Sequence, residues 1–159
     1  MPLAVPTLRA VPFDDPAALR LRRAMDVEMG AVYADRSATM SEAIRDALHV
    51  DPATVVLTLL AERDGAAVGH AALRRLPTGE LEVKRVVTTA AARGAGVADA
   101  LVAALEAEAR RLGATRVLLQ TGDRQPAAER LYRRRGWTPV PIFSPYEPIT
   151  FSHCYEKQL

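Results

Sequence analysis

Hydrophobic and polar positions along this chain follow two periods, and the order in which they alternate predicts a mixed architecture. Leu8 to Val11 reads as a short opening strand, after which Asp14-Asp15-Pro16 offers a capping carboxylate and a first-turn proline. A helix from about Pro16 to Tyr33 follows, its apolar stripe formed by Leu19, Met25, Met29 and Val32. Asp35 to Met40 is polar and predicts a loop, and Ser41-Glu42 opens a short second helix ending near Val50. Val55 to Ala61 and Ala67 to Leu76 flank the turn dipeptide Asp64-Gly65 and predict a hairpin. Beyond Pro77-Thr78-Gly79, Leu81 to Thr89 predicts a fourth strand in meander order, with high strand propensity in Val86-Val87-Thr88-Thr89.

A long amphipathic helix is expected from Val97 to Leu112, with Glu106 placed to pair with Arg110 and Gly113 as its stop. Arg116 to Gln120 has a buried-strand pattern, Pro126 to Arg135 is a helix closed by Gly136, and Ser152 to Lys157 is a final strand after the proline-rich loop Pro139 to Pro148. The predicted order is β, α, α, β, β, β, α, β, α, β, β.

The 159 residues suit one domain, residues 1–159, and leave no room for a second. With 49% hydrophobic and 25% charged residues the composition excludes a disordered chain. No stretch approaches the roughly 18 to 20 apolar residues of a membrane span, and no signal-like segment follows Met1. Cys154 is the single cysteine, so no disulfide framework exists within the chain and a reducing, cytoplasmic setting is expected. A net charge of +2 does not identify a nucleic-acid binder. His49, His70 and His153 show no ligand spacing to one another or to Cys154, so no metal site is expected.

Candidate chemistry concentrates where the strand ending at Thr88 runs into Arg93-Gly94-Ala95-Gly96-Val97-Ala98 and then into the long helix. Glycines let backbone N–H groups approach an anion, and the helix N-terminus favours negative charge there. A Walker loop is excluded because no Gly-Lys pair exists, and a dinucleotide fingerprint fails because Asp99 stands where its third small residue belongs. Without further context, the two glycines simply shape a tight turn.

The Arg93-x-x-Gly96-x-Ala98 arrangement resembles the acetyl-CoA pyrophosphate loop of the GCN5-related N-acetyltransferase (GNAT) superfamily. A second stretch, Gln125-Pro126-Ala127-Ala128-Glu129-Arg130-Leu131-Tyr132 through Gly136-Trp137, is similar to the family's next conserved segment, with Gln125 where an asparagine is usual. The likeness covers Leu81 to Val140 and implies an α/β (α+β) GNAT fold, a mixed and mostly antiparallel central sheet flanked by about four helices. It implies acetyl-CoA as acetyl donor, with Val86, Val87 and Thr88 offering backbone groups to its pantetheine arm. Arg93, Gly94, Ala95, Gly96, Val97 and Ala98 would meet its pyrophosphate, and Gln125 and Tyr132 would contact it.

The implied reaction is acetyl transfer to a primary amine of a small molecule or peptide by direct attack in a ternary complex. Tyr132 is the expected general acid, since a phenol with a reference pKa of about 10 can protonate a thiolate, the alternative being a core tyrosine with a hydrogen-bonded hydroxyl. Glu82 is the candidate base, although Glu80, Glu82 and Lys84 share a strand face and such rows are ordinarily solvated. Cys154 alternates with apolar positions and reads as a buried small hydrophobe. Tyr33, Met40, Phe143 and Tyr146 are candidates to line an acceptor pocket. The resemblance also admits a non-catalytic acetyl-CoA-binding sensor or docking module, or a toxin of the same fold acting on aminoacyl-tRNA, and it is compatible with a homodimer.

Overall fold

A computed structural model describes residues 4–159. Strands β1 (Thr7–Ala10), β2 (Val55–Arg63), β3 (Ala66–Arg75), β4 (Leu81–Thr88), β5 (Arg116–Gly122), β6 (Thr138–Val140) and β7 (Ser152–Gln158) form one seven-stranded sheet in the order β1-β2-β3-β4-β5-β7-β6. All pairings are antiparallel except β4 with β5. Helices α1 (Pro16–Val32), α2 (Glu42–Leu48), α3 (Val97–Arg111) and α4 (Pro126–Arg134) cover it. The element order is the predicted one, with β6 taking up the start of the stretch expected as the loop Pro139 to Pro148, and the sheet is mixed and mostly antiparallel as the resemblance implied.

Local chemistry explains the boundaries. The Asp15 carboxylate accepts the amides of Ala17 and Ala18 at the start of α1, and the Ser41 hydroxyl accepts that of Ile44 at the start of α2. Asp64 and Gly65 both adopt positive φ, 51° and 77°, the pair of conformations whose twist suits a two-residue hairpin. Two expectations are corrected. Residues Ala34–Thr39 form a 3₁₀ helix rather than a loop. Glu106 does not pair with Arg110: it is buried and accepts from Arg135, the Trp137 indole and Lys157, which joins α3 to the segment after α4 and to β7. Burial would raise its pKa, but these donors outweigh burial and hold it below the ordinary carboxylate value.

The larger core lies between α3 and the sheet. Val97, Leu101, Val102 and Leu105 pack on Leu59, Ala61, Leu73, Val83 and Leu119, with Leu131, Tyr132 and Trp137 closing the cluster. A Cβ on Gly69 would strike Val97 and Leu101, so a side chain there would hold α3 off β3. On the opposite face Leu60 packs under Ala18 and Leu21 of α1, while Ile44 and Ala47 of α2 pack with Tyr146 and Ile149. Among the described residues no helix is long and apolar enough to cross a membrane, and no cluster of three or more His, Cys, Asp or Glu side chains could hold a metal ion.

Candidate active site

The parallel pairing of β4 with β5 covers three residues on each strand, Leu81–Val83 against Val117–Leu119, and there it stops. Both strands continue, β4 to Thr88 and β5 to Gly122, so the sheet forks beyond Val83. The cause lies on the other edge of β4. Its register with β3 jumps from Lys84↔Ala72 to Val87↔His70, and Arg85 sits at φ 57°. This is a β-bulge, which bends a strand and adds twist. It also resets the side-chain alternation. Lys84 and Arg85 both reach the α1 and α2 side, while Val86 joins the core beneath α3 and Val87 packs with the α1 cluster.

The glycine turn stands at this end. Gly94 and Gly96 both have φ 79°, a conformation that strains any residue with a Cβ, and a Cβ at either would meet nothing within 4 Å. Gly96 is the N-cap of α3, and no side chain among the described residues caps the helix. Its first-turn amides are therefore available to an anion. Arg93, exposed in the turn, donates to Glu28 of α1. Ala95 is partly buried in the turn, Val97 is buried and Ala98 packs on the α3 core.

Tyr132 is buried in that same core, tilted against Trp137 and Tyr155, and burial pushes its phenol pKa well above the ordinary tyrosine value. It stays protonated at any physiological pH. Gln125 is the N-cap residue of α4, and its amide donates to Met29 Sδ at 2.8 Å. Residues of both sequence motifs, Val97 and Tyr132, thus belong to one buried cluster with Val86 packed against it.

Glu82 lies on the opposite face. It is fully buried, so the charge row on β4 is not the solvated face that its sequence pattern suggested. Arg74 Nε donates to Glu82 Oε1 at 2.6 Å, Arg74 Nη2 and Lys84 Nζ donate to the Tyr146 hydroxyl at 2.9 and 2.7 Å, and Glu82 Oε2 is without a partner among the described residues. Burial lowers the Lys84 pKa to about 8 and raises that of the Cys154 thiol. Sequence reasoning missed Arg74, although hairpin register places it directly across from Glu82. Of the suggested pocket residues, Tyr146 is a buried member of this network, whereas Tyr33 is half-buried, stacked on Phe151, and accepts the Arg124 amide at 3.0 Å.

The forked, mostly antiparallel sheet carries an anion-receptive glycine turn at its open end. Comparison with known proteins makes the class an acyltransferase of the N-acetyltransferase type. Residues 20–137 match the profile of the Acetyltransferase (GNAT) family. The IAA acetyltransferase of Azospirillum brasilense is 37% identical over 102 residues, 64% of this chain and 67% of that one. The crystal structure of a Klebsiella pneumoniae chain assigned as an acyl-CoA N-acyltransferase has a TM-score of 0.79 at 31% identity, over 97% of both chains. A GNAT family acetyltransferase from Elizabethkingia anophelis, solved with acetyl-CoA bound, shares the fold at a TM-score of 0.69 and 13% identity, over 98% of this chain and 99% of that one. The chain belongs to the acetyltransferase (GNAT) family.

Proposed function

We propose that this protein transfers an acetyl group from acetyl-CoA to a primary amine of a small molecule or peptide, by direct attack within a ternary complex. The observation that carries the reading is the fork itself. It opens the β4 edge at Val86, Val87 and Thr88 beside an uncapped helix N-terminus, with a buried phenol on one face of the sheet and a buried carboxylate on the other.

Acetyl-CoA supplies a thioester carbonyl. The chain's residues bind and orient it: backbone groups of Val86, Val87 and Thr88 hold the arm, the turn from Arg93 to Ala98 takes the pyrophosphate, and Gln125 exchanges Met29 for the donor. Holding two reactants in attacking geometry removes much of the entropic barrier. As the nitrogen–carbonyl bond forms and the carbon–sulfur bond breaks, Tyr132 Oη gives its proton to the departing thiolate, which leaves as the free thiol. Glu82 Oε2, with Oε1 committed to Arg74, draws the proton from the attacking nitrogen through water and returns it by way of solvent to the tyrosine. One proton thereby moves from nitrogen to sulfur.

Thermal denaturation with acetyl-CoA, CoA and ATP tests the donor assignment, because a ligand of the folded state raises apparent stability. A selective rise with acetyl-CoA and CoA is expected, followed by amine-dependent release of free thiol and intersecting initial-rate patterns. No rise at millimolar acetyl-CoA would overturn the proposal.

A further inference from the structure

The bulge in β4 leaves a backbone problem for the fold to solve. Arg85 stands between two register blocks, and its carbonyl finds its donor in a side chain: His70 Nδ1 lies 2.8 Å from Arg85 O. The other ring nitrogen, Nε2, lies 2.9 Å from Arg22 Nη1. These two partners fix the state of the imidazole. A carbonyl only accepts, so Nδ1 carries the hydrogen, and a guanidinium only donates, so Nε2 carries a lone pair. His70 is therefore neutral and of a single tautomer. It is fully buried, which keeps its pKa down at about 4, and the neighbouring Arg22 and Arg85 cations act in the same direction.

Arg22 is itself pinned. Its Nη2 donates to Phe13 O, and its guanidinium stacks 3.7 Å from the Phe13 ring centroid. The Arg85 side chain returns to the same helix, donating to Arg22 O at 3.2 Å and pairing with Asp26 at 2.7 Å. The result is a closed ring from α1 through His70 to the bulge and back to α1. One residue beyond it lie Val86, Val87 and Thr88.

We propose that His70 is a positioning residue for acetyl transfer: by donating to Arg85 O and accepting from Arg22, it holds the β4 bulge that aims the backbone of Val86 to Thr88 into the fork. Without the bulge the strand alternation continues unbroken, and Val86 and Val87 exchange faces. The proposal rests on the donor reading above for its catalytic part, and on the structure alone for the bulge.

The tests are His70→Phe, which fills the site without hydrogen bonds, and His70→Asn, whose amide keeps a donor near the place of Nδ1 while giving up the contact with Arg22. His70→Phe is expected to raise the acetyl-CoA KM at least tenfold and to lower kcat, with His70→Asn recovering most of that loss even where the two have similar melting temperatures. Amide hydrogen exchange at Val86 to Thr88 in the unliganded protein is expected to quicken in His70→Phe and much less in His70→Asn. Nitrogen-15 spectra of wild-type histidines should show His70 neutral with its hydrogen on Nδ1. Folded His70→Phe with unchanged KM, kcat and exchange would overturn the proposal, as would a hydrogen on Nε2. If wild type neither binds acetyl-CoA nor releases thiol, the donor reading fails by itself, and exchange and spectra still decide whether His70 holds the bulge.

Discussion

Glu28 of α1 and Arg93 of the glycine turn are joined by an ion pair in which one guanidinium nitrogen lies 2.8 and 2.6 Å from the two carboxylate oxygens. The pair is about half exposed on both sides, so it contributes between zero and roughly 1 kcal/mol to stability. Its interest is competitive. An anionic donor that uses Arg93 must take it from Glu28. Glu28→Gln is therefore expected to tighten acetyl-CoA binding about two- to fivefold at low ionic strength, with the gain shrinking in 0.5 M salt and the melting temperature hardly moved. Calorimetric titration at two salt concentrations reads this directly, and weaker binding in the variant would show that Glu28 does not compete.

Tyr132→Phe keeps the ring that packs 5.9 Å from Trp137 and 6.2 Å from Tyr155 and removes only the hydroxyl. A general acid acts in the transition state, so the expected loss is about 100-fold or more in kcat with the acetyl-CoA dissociation constant within about twofold of wild type. Equal losses in both would mean that the hydroxyl serves binding or packing.

For Glu82 the structure separates two carboxylates that one strand pattern treats alike. Glu80 pairs at the surface with Arg116, while Glu82 is fully buried against Arg74. Removing one partner of a buried pair strands the other's charge and costs roughly 3 to 5 kcal/mol, whereas a surface pair is worth about 1 or less. Glu82→Gln should accordingly destabilise strongly in urea melts and Glu80→Gln hardly at all. Because Glu82 is also the proposed base, whatever fraction of Glu82→Gln folds should lose most of its kcat while its acetyl-CoA dissociation constant hardly moves. An unchanged kcat would assign the amine's proton to solvent.

The elements themselves were legible because each rests on local chemistry: the Asp15 and Ser41 caps, the Asp64-Gly65 turn, and glycines at the ends of α3 and α4. The glycine turn was legible for the same reason. What the sequence pattern did not disclose depends on residues distant in the chain. Glu106 had an obvious local partner in Arg110, yet three donors from 29 to 51 residues away claim it. The bulge at Arg85 carries no glycine to mark it, since a side-chain hydrogen bond from β3 supports the unusual backbone. The charge row on β4 looked solvated because the loop that delivers Tyr146 over it has no periodicity to read.

Acid stability offers a separate check on the ring around His70. The group is neutral in the fold, with a pKa of about 4, against an ordinary value near 6.5 in the unfolded chain. Between those values the unfolded state binds a proton that the folded state refuses, so stability is unaffected above pH 6.5 and falls as pH drops toward 4. The full effect is on the order of 3 kcal/mol. Carboxylates add their own acid dependence, so the informative quantity is the difference between wild type and His70→Asn, which has no titrating ring. Urea melts from pH 7 to 4.5 should show a shallower decline for the variant. Parallel declines would mean that His70 is readily protonated in the fold.

At the far end of β5, Gly122 has no room for a side chain, because a Cβ there would collide with the Tyr33 hydroxyl and approach its ring. The backbone at Gly122 is not in the left-handed region, so alanine would suit it conformationally and would even reduce unfolded-state entropy. The obstacle is Tyr33 alone, which stacks 5.7 Å from Phe151 and accepts the Arg124 amide. Gly122→Ala in the wild-type background should therefore cost about 1 to 3 kcal/mol by overpacking. In a Tyr33→Ala background the same change should be neutral or slightly stabilising. That change of sign in a double-mutant cycle would establish that the end of α1 docks on the end of β5 in solution. Additive losses would mean that Tyr33 already stands away from the strand, leaving the Arg124 contacts with Asp35 and the Val32 carbonyl to hold the end of α1 against the β5–α4 connection.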